Sequence, residues 1–455
     1  MSKRETGRPL ASRGWHNVVL IRRAFREFAL VPTLVVLAFV ALAVVSIIAD
    51  EGHVPALHGV RQATGHVIGN KSASTALQAI ATGLLTVTSI TFSVLLLAAQ
   101  QTASNLSPVV FDQFVRRRIN QVLLGFFVGL CVFAYLVMAA QTSTPPVVGA
   151  AIATLLTVVA MVLLLVLIYV TVDQMRPANV LRQIHRQTLK ARRLQAPLRC
   201  CTLRTPRRTT GVTARYRSDQ TGFVTGIDIQ SLARALERAP RAEIRLGVTL
   251  GQAVTYGDVI ATVYDDDEGV ARSLAHDIRA GILLDQWRDI SRDATTGVAE
   301  ITNIAWTSGS TSKHSPQVAR QGLDILKDLT ARRLDEDDAD GHDADPPLSV
   351  VYPDTYLDQL LDSIYGLLVV AHESHQHLTA AHVLDAYRAL LPQAPPDVRH
   401  RVLADLARGR VLLDQLPTSA MLDDARAALE RTVADLHRRT SVGEEGTREV
   451  AGTPL

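Results

Sequence analysis

The second hydrophobic stretch of the chain, Ala76–Ala99, carries a row of hydroxyl and amide side chains. The members recur three, four or seven positions apart, so a helix would place all of them along one face from end to end. Such a face could line a water-filled path for ions or small solutes. It could instead hold membrane helices together, and the lack of any charge in the row favours packing over a path. The row comprises Thr75, Gln78, Thr82, Thr86, Ser89, Ser93 and Gln100.

A segment dense in Ser, Thr and Gly, Ile290–Pro316, contains the other residues that could bind a ligand. Backbone amides and hydroxyls at a helix start can hold an anion. The segment lacks the GxxxxGK[ST] spacing of a phosphate loop, so turn formation and helix capping are the default interpretation. The candidate residues for an anion or ligand loop are Arg292, Asp293, Thr295, Thr296 and Lys313.

Two further clusters have metal-ligand side chains without metal-site spacing. His372 and His375 lie three positions apart around Glu373, whereas zinc proteases need two histidines four apart. The acidic run at Asp265–Glu268 has no EF-hand spacing and is typical of a solvated turn. We therefore predict no metal, no cofactor and no catalytic set. An enzyme ranks third among the hypotheses, and loss of an activity on changing Asp293 or Lys313 to Ala would revive it.

Four apolar stretches, each long enough to cross a bilayer, would position the polar row. None contains Lys, Arg, Asp or Glu, so lipid burial carries no unpaired charge. The third stretch contains Gly125 and Gly129 at GxxxG spacing, which allows close helix packing within the chain or between copies. The stretches are Phe28–Ala49, Ala76–Ala99, Val122–Ala140 and Val147–Val172.

The charges predict an orientation in the membrane. The net charge of +3 divides into +13 through Arg199 and −10 beyond it, which argues against a nucleic-acid partner. Basic residues cluster before the first stretch, between the second and third, and after the fourth. By the positive-inside rule, we expect both termini and the large C-terminal half to lie on the cytoplasmic side of a bacterial inner membrane. Three cysteines fit a reducing compartment.

Beyond about residue 203 the pattern changes to short β-type runs separated by Gly and Thr. The second half of this region resembles a biotinyl/lipoyl-type barrel-sandwich hairpin. A carrier domain needs a lysine at the hairpin tip, and the sequence has none between Lys190 and Lys313. We therefore predict a small barrel-sandwich-like β module with a structural or docking role.

The predicted architecture is an α-helical membrane protein with four transmembrane helices and an α+β cytoplasmic half that contains the β module and a helical domain. The segments are an amphipathic N-terminal segment at 1–29, the membrane unit at 30–172, a basic juxtamembrane helix at 173–202, the β module at 203–268, a helical region at 269–334, an acidic disordered linker at 335–347, a helical region at 348–440 and a disordered tail at 441–455.

The run Thr86–Gly129 and the later "TGFVTGID" at Thr221–Asp228 resemble predicted bacterial membrane proteins grouped as domain of unknown function 2254. The resemblance covers most of residues 30–330 and implies architecture rather than activity. One departure is that Ser291–Gly297 lacks the Pro, Asn and Ala of the family's soluble motif. The positions that carry the resemblance are Ser107, Pro108, Asn120, Gln121, Gly125 and Gly129.

The sequence leads to two hypotheses for function. The first is an oligomeric channel or transport-type protein whose cytoplasmic half gates or senses. The alternative is a membrane-anchored sensor or scaffold with no transport activity. The expected partners are the lipid bilayer, further copies of the chain and an unidentified cytoplasmic protein.

Overall fold

A computed structural model describes residues 29–51, 70–105, 118–140, 146–174, 176–267, 269, 273–310, 316–339, 347–417 and 419–451. The chain divides into two compact units, Met1–Arg176 and Pro177–Leu455. We call the first the membrane unit, because all four candidate membrane spans found among the described residues lie in it.

The four long apolar helices are confirmed. They are α1 (Leu30–Glu51), α2 (Asn70–Asn105), α3 (Arg118–Ala139) and α4 (Val147–Gln174). Each contains a segment long and apolar enough to cross a membrane. Helix α2 is the longest, and at about 1.5 Å per residue its 36 residues extend over about 54 Å. Since a hydrocarbon core is about 30 Å thick, α2 continues well beyond its candidate span, Ala73–Val94.

Helices α1 and α3 pack closely in the membrane unit. A Cβ atom on Gly125 would lie 2.9 Å from the Pro32 Cα atom, and one on Gly129 would lie 2.5 Å from a ring carbon of Phe39. The Phe39 ring also meets Phe126 edge to face, with 5.4 Å between centroids. The GxxxG spacing thus brings α3 against a helix of its own chain.

A buried carboxylate joins the end of α1 to the start of α4. Asp50 accepts hydrogen bonds from the backbone amides of Val148 (2.8 Å) and Gly149 (3.0 Å). These amides have no partner inside their own helix, and a negative charge is favoured at a helix N-terminus. Asp50 therefore caps α4 from a different helix.

The second unit begins with helices α5 (Pro177–Leu194) and α6 (Ala196–Cys200). Helix α5 falls within the predicted basic juxtamembrane segment, 173–202. It buries Val180, Leu181 and Ile184 within the second unit, where it packs against two later helices. The other helices are α7 (Ile229–Arg238), α8 (Ala275–Gly281), α9 (Ala294–Ser310), α10 (Pro316–Ala339), α11 (Tyr356–Glu373), α12 (His377–Leu390), α13 (Pro396–Asp414) and α14 (Ala420–Ala451).

The predicted barrel-sandwich module is wrong, because the described strands form two small open sheets. One sheet has the order β1-β5-β3-β7 and the other β4-β2-β6. All pairs are antiparallel except β3 with β7. The strands are β1 (Val212–Arg217), β2 (Gly222–Ile227), β3 (Glu243–Leu246), β4 (Ala253–Val254), β5 (Val259–Asp265), β6 (Ile282–Asp285) and β7 (Val350–Val351).

The helices between the strands explain why no barrel forms from the described residues. The predicted hairpin separates, because β4 pairs with β2 in one sheet while β5 lies between β1 and β3 in the other. Helices α7 and α8 supply Leu232, Leu236 and Ile278 to the same core as the sheets. These side chains fill the space that barrel closure would need. The last sheet neighbour, β7, arrives from a distant part of the chain, so local spacing could not predict it.

Three other expectations differ from the structure. Strand β6 interrupts the stretch predicted to be helical at 269–334, and α10 continues to Ala339 inside the predicted acidic linker. Helix α14 continues to Ala451, within the predicted tail. The amphipathic segment before residue 29, Ser107, Pro108 and residues 340–346 lie outside the described residues.

Candidate functional site

The polar row on α2 faces away from the helices of its own chain. All seven members, from Thr75 to Gln100, are exposed in the single chain. At 3.6 residues per turn, the centre of this polar face lies about 150° around the helix from the centre of the buried stripe. That stripe consists of Ala73, Leu77, Ala81, Leu84 and Thr91.

Three hydroxyls of the polar face donate their protons to their own helix. Thr82 donates to the Gln78 carbonyl (3.0 Å), Thr86 to the Thr82 carbonyl (3.3 Å) and Ser93 to the Ser89 carbonyl (2.9 Å). A hydroxyl has one proton, so each of these oxygens presents only lone pairs to whatever lies outside. The internal bonds also lower the cost of placing these side chains in lipid.

The interior of the membrane unit is mainly apolar, although Thr91, Asn120, Gln121 and Thr171 are also buried in it. Its core contains Phe39, Leu77, Phe127 and Phe133, and the described interior polar contacts include a 3.3 Å contact between Thr88 Oγ1 and Cys131 Sγ. Any hydrated path along the polar face would therefore lie outside the bundle of a single chain.

In the Ser/Thr-rich segment, the structure gives Asp293 the role of a helix cap. Its carboxylate accepts from the backbone amides of Thr295 (2.9 Å) and Thr296 (3.1 Å), and from both hydroxyls. The side chain is almost fully buried at the start of α9. A carboxylate of the chain thus occupies the amides that an external anion would use.

The same turn holds neighbouring elements together. Gln195 donates to the Arg292 carbonyl (3.0 Å), and Gln359 donates to the Thr295 carbonyl (3.1 Å). Gly251, whose φ of +78° favours glycine, leaves room for the Asp293 carboxylate. The Arg292 side chain is exposed near Asp289, and Lys313 lies outside the described residues. These contacts favour turn and cap formation at this segment.

The histidine and carboxylate clusters do not come together as a metal site. His372 lies in the last turn of α11 and His375 follows the helix. In the acidic run, Asp266 pairs with Arg208, and Asp265 accepts from the Asp267 amide. Within the described parts of the chain, no group of three or more His, Cys, Asp or Glu side chains could hold a metal ion.

The most unusual polar group of the second unit is a buried ion cluster that the sequence analysis missed. Arg192 of α5 is 3% exposed. It donates twice to Asp354 (3.1 and 2.7 Å) and once to Glu336 (3.1 Å). Its guanidinium carbon lies 4.5 Å from the centroid of the Tyr356 ring. Arg199 of α6 also donates to Glu336 (2.8 Å).

A cleft of about 300 Å³ opens beside this cluster, and we call it the arginine cleft. The arginines in its wall come from three places: Arg199 from α6, Arg204 from the segment after it, and Arg333 from α10. The wall also includes Tyr352 and Asp354, from the segment between β7 and α11. Buried charges are costly unless paired, so their concentration beside a cleft marks a candidate binding site.

Burial and neighbouring charges shift the pKa values of Arg192 and Asp354 in opposite directions. Burial alone would raise the pKa of Asp354, but the hydrogen bonds and charge of Arg192 hold it below its usual value. Burial would likewise lower the pKa of Arg192, and the bonds to Asp354 together with the charge of Glu336 raise it instead. Burial raises the pKa of Tyr352, whose hydroxyl accepts from the Leu250 amide (3.4 Å). The ion pairs therefore remain charged at neutral pH.

No local sequence motif predicts the arginine cleft. Its members are spread over more than 150 positions, and a lone arginine in a basic helix such as α5 resembles its neighbours in sequence. One available signal was Arg192 itself, since helical spacing places it on the same face as Leu181, Ile184 and Thr188.

These features define a membrane protein with four candidate transmembrane helices and a mixed α/β second unit. A family model described as "Predicted membrane protein (DUF2254)" matches residues 26–386. The chain belongs to this family, as the resemblance in its second and third helices predicted. Searches of curated proteins and of solved structures each give no match.

Proposed function

We propose that the protein is an oligomeric membrane channel or transport-type protein in which α2 helices from several copies surround a shared path. The observation that carries the proposal is the polar face of α2, which points away from a mainly apolar bundle. A hydrated path needs polar walls, and a single chain has its polar wall on the outside. Several copies arranged around an axis would bring these faces together.

The surroundings of the polar face support the same arrangement. Apolar residues such as Leu85 and Phe92 flank it on one side, and Ile90 and Val94 on the other, and all four are exposed in the single chain. A pore-lining helix in an oligomer needs a polar strip toward the axis and apolar flanks toward lipid and neighbouring helices. The second unit, carried on the same chain, would then gate or sense.

The proposal extends to topology. The basic residues beside the spans favour an inner-membrane protein with both termini and the second unit in the cytoplasm. Cysteine labelling at Arg207 in the second unit, on intact and on opened cells, tests this placement. Labelling restricted to opened cells supports it, and labelling on intact cells contradicts it.

Transport is tested by reconstituting the full chain in liposomes and measuring ion and small-solute flux. Ser89→Leu places a bulky side chain on the polar face, whereas Ile90→Leu changes the adjacent flank and is the matched control. We expect flux with the native chain and with Ile90→Leu, and a large loss with Ser89→Leu. Equal flux in all three would remove α2 from the path.

The oligomer has its own measurement. We expect Ser89→Cys, in a chain without its native cysteines, to form disulfide-linked dimers in membranes under oxidation, while Cys at Leu77 should stay monomeric because Leu77 is buried in its own bundle. Monomers at both positions would contradict assembly through α2.

The alternative is a membrane-anchored sensor or scaffold with no transport activity. The specific observation in its favour is that Thr82, Thr86 and Ser93 satisfy their protons within α2, which makes the polar face tolerable against lipid or another helix. A stoichiometric cytoplasmic partner in pull-downs, together with no flux in liposomes, would favour this alternative.

A further inference from the structure

We infer that the arginine cleft of the second unit binds a phosphate group, carried by a small phosphate ester or by a lipid headgroup. The inference goes beyond the proposed function and holds whether or not the chain conducts. It rests on the number of guanidinium groups around the cleft, on the separate segments that supply them and on the space between them.

The charges around the cleft favour an anion. Among the side chains that the structure describes, four guanidinium groups lie in or directly behind the wall, facing the carboxylates of Glu336 and Asp354. The wall also contains the exposed carboxylate of Asp358, which shares Arg401 of α13 with Asp362, so four arginines stand against three carboxylates around the cleft. The four are Arg192, Arg199, Arg204 and Arg333.

The number of separate donors favours phosphate over carboxylate. Arg199, Arg204 and Arg333 reach the cleft wall from three separate segments, and each carries a planar guanidinium fork. A phosphate ester offers three oxygens in a tetrahedral arrangement, whereas a carboxylate offers two in one plane. Arginine is the usual side chain for bidentate recognition of phosphate.

The ion cluster behind the wall would hold these donors in place. Glu336 fixes Arg199 (2.8 Å), and Arg192 fixes both Glu336 and Asp354. Arg333 stands 3.9 Å from Asp354 and is mostly buried. Arg204 is the exposed arginine of the wall. A wall with paired arginines inside and an exposed arginine outside is suited to a ligand that enters from solvent.

The volume sets the size of the ligand. About 300 Å³ is at the lower end of the range for small-molecule sites. It exceeds what a bare phosphate fills, so an organic group such as glycerol would fit beside the phosphoryl group. The Tyr352 ring, Leu203 and Pro353 provide apolar contact for that group.

Binding is tested by titrating glycerol 3-phosphate calorimetrically into the full chain in phosphatidylcholine nanodiscs. Arg204→Gln removes one guanidinium from the wall, and Arg207→Gln, an exposed arginine three residues on and outside the wall, is the matched control. We expect Arg204→Gln to weaken binding about tenfold, as for one charge-assisted hydrogen bond, and Arg207→Gln to leave it unchanged. Arg333→Lys, which keeps the charge and loses the fork, should weaken it too.

Repeating the titration in phosphatidylglycerol nanodiscs distinguishes the two sources of phosphate. Weaker binding of glycerol 3-phosphate there would assign the cleft to a lipid headgroup, and unchanged binding would assign it to a free phosphate ester. Three results would overturn the inference: no saturable binding at millimolar concentration, equal affinity in Arg204→Gln and Arg207→Gln, or acetate bound as tightly as glycerol 3-phosphate.

Discussion

The two units differ in where their polar side chains lie. In the membrane unit, the polar face of α2 points outward, although Asp50, Thr91 and Asn120 are buried. In the second unit, Arg192 and Asp293 are buried, and Asp354 is partly buried beside Arg192. A polar group facing lipid and a charge inside a protein core both need a hydrogen-bond or ion-pair partner. On α2 the partner is often a carbonyl of the same helix, whereas in the second unit it is another side chain or a backbone amide.

The two units also differ in how far their polar groups find partners within the chain. The buried charges of the second unit are paired inside the unit, by other side chains or by backbone amides. The polar face of α2 satisfies several protons within its own helix and still presents oxygens outward. The polar face of the membrane unit therefore favours contact with another helix or with water. In the second unit, by contrast, the charges are already paired, and a cleft lies beside them.

The largest expected effect is at the buried ion cluster. Arg192→Ala leaves Asp354 and Glu336 without their main partner, and breaking one side of a buried ion pair typically costs about 3–5 kcal/mol. We expect the free energy of unfolding of the second unit to fall by this amount in denaturant titrations of the full chain. Arg388→Ala breaks an exposed pair with Asp385 and should cost about 1 kcal/mol or less. Equal losses would show that burial does not distinguish the two pairs.

A smaller effect is expected at Asp50, a buried carboxylate that caps a helix of the membrane unit. Asp50→Ala removes the acceptor for the Val148 and Gly149 amides, and hydrogen bonds to charged groups contribute about 1.5–3 kcal/mol. We expect a loss in this range by thermal unfolding in detergent. Asp50→Asn keeps one acceptor oxygen and should recover part of it. A native-like Asp50→Ala protein would mean that the amides find other partners.

The glycines of the membrane unit give a matched pair. A Cβ on Gly129 meets the Phe39 ring, so Gly129→Ala should destabilise the α1–α3 contact by about 1–3 kcal/mol. A Cβ on Gly83 of α2 meets nothing within 4 Å, so Gly83→Ala should be neutral or slightly stabilising. Thermal unfolding of both variants in detergent measures the difference. A costly Gly83→Ala would indicate a neighbour against α2 that the single chain lacks.

The smallest expected effect is the response of the second unit to acid. Because the pKa of Asp354 is lowered on folding, its stabilising contribution is present above about pH 4, the ordinary pKa of an aspartate, and is lost as pH falls below that value. Unfolding between about pH 2 and 5 should therefore show a shallower loss of stability on acidification in Asp354→Asn than in the native chain. The same slope in both would remove Asp354 from the acid response.

The membrane unit could be predicted from the sequence far better than the second unit. Runs such as Val147–Val172 specify a spanning helix by composition alone, and the spacing of Gly125 and Gly129 indicated close packing. The arginine cleft depends on contacts between Arg199, Arg333 and Asp354, which are far apart in the sequence. The barrel prediction failed for the same reason, since β7 reaches β3 over about a hundred residues.

The polar face of α2 could be predicted from the sequence only in part. Periodicity predicted that Thr82, Thr86, Ser89 and Ser93 share one face, and in the structure all four are exposed. Periodicity could not show which way this face points, because the direction depends on how Leu77, Ala81 and Leu84 pack against the neighbouring helices. Because the polar face points outward, it can line a path or pack only against something outside the single chain, such as a neighbouring copy.

The most direct test of the account is the accessibility of single cysteines along α2 in intact membranes. With Cys131, Cys200 and Cys201 replaced, cysteines at Thr82, Thr86, Ser89 and Ser93 would be treated with a membrane-impermeant thiol reagent, with Leu85 and Ile90 as controls on the apolar flanks. The account predicts labelling of the four polar positions at bilayer depth and protection of both flanks. No labelling at any position would mean that the polar face is buried against lipid or protein, and would contradict a water-filled path.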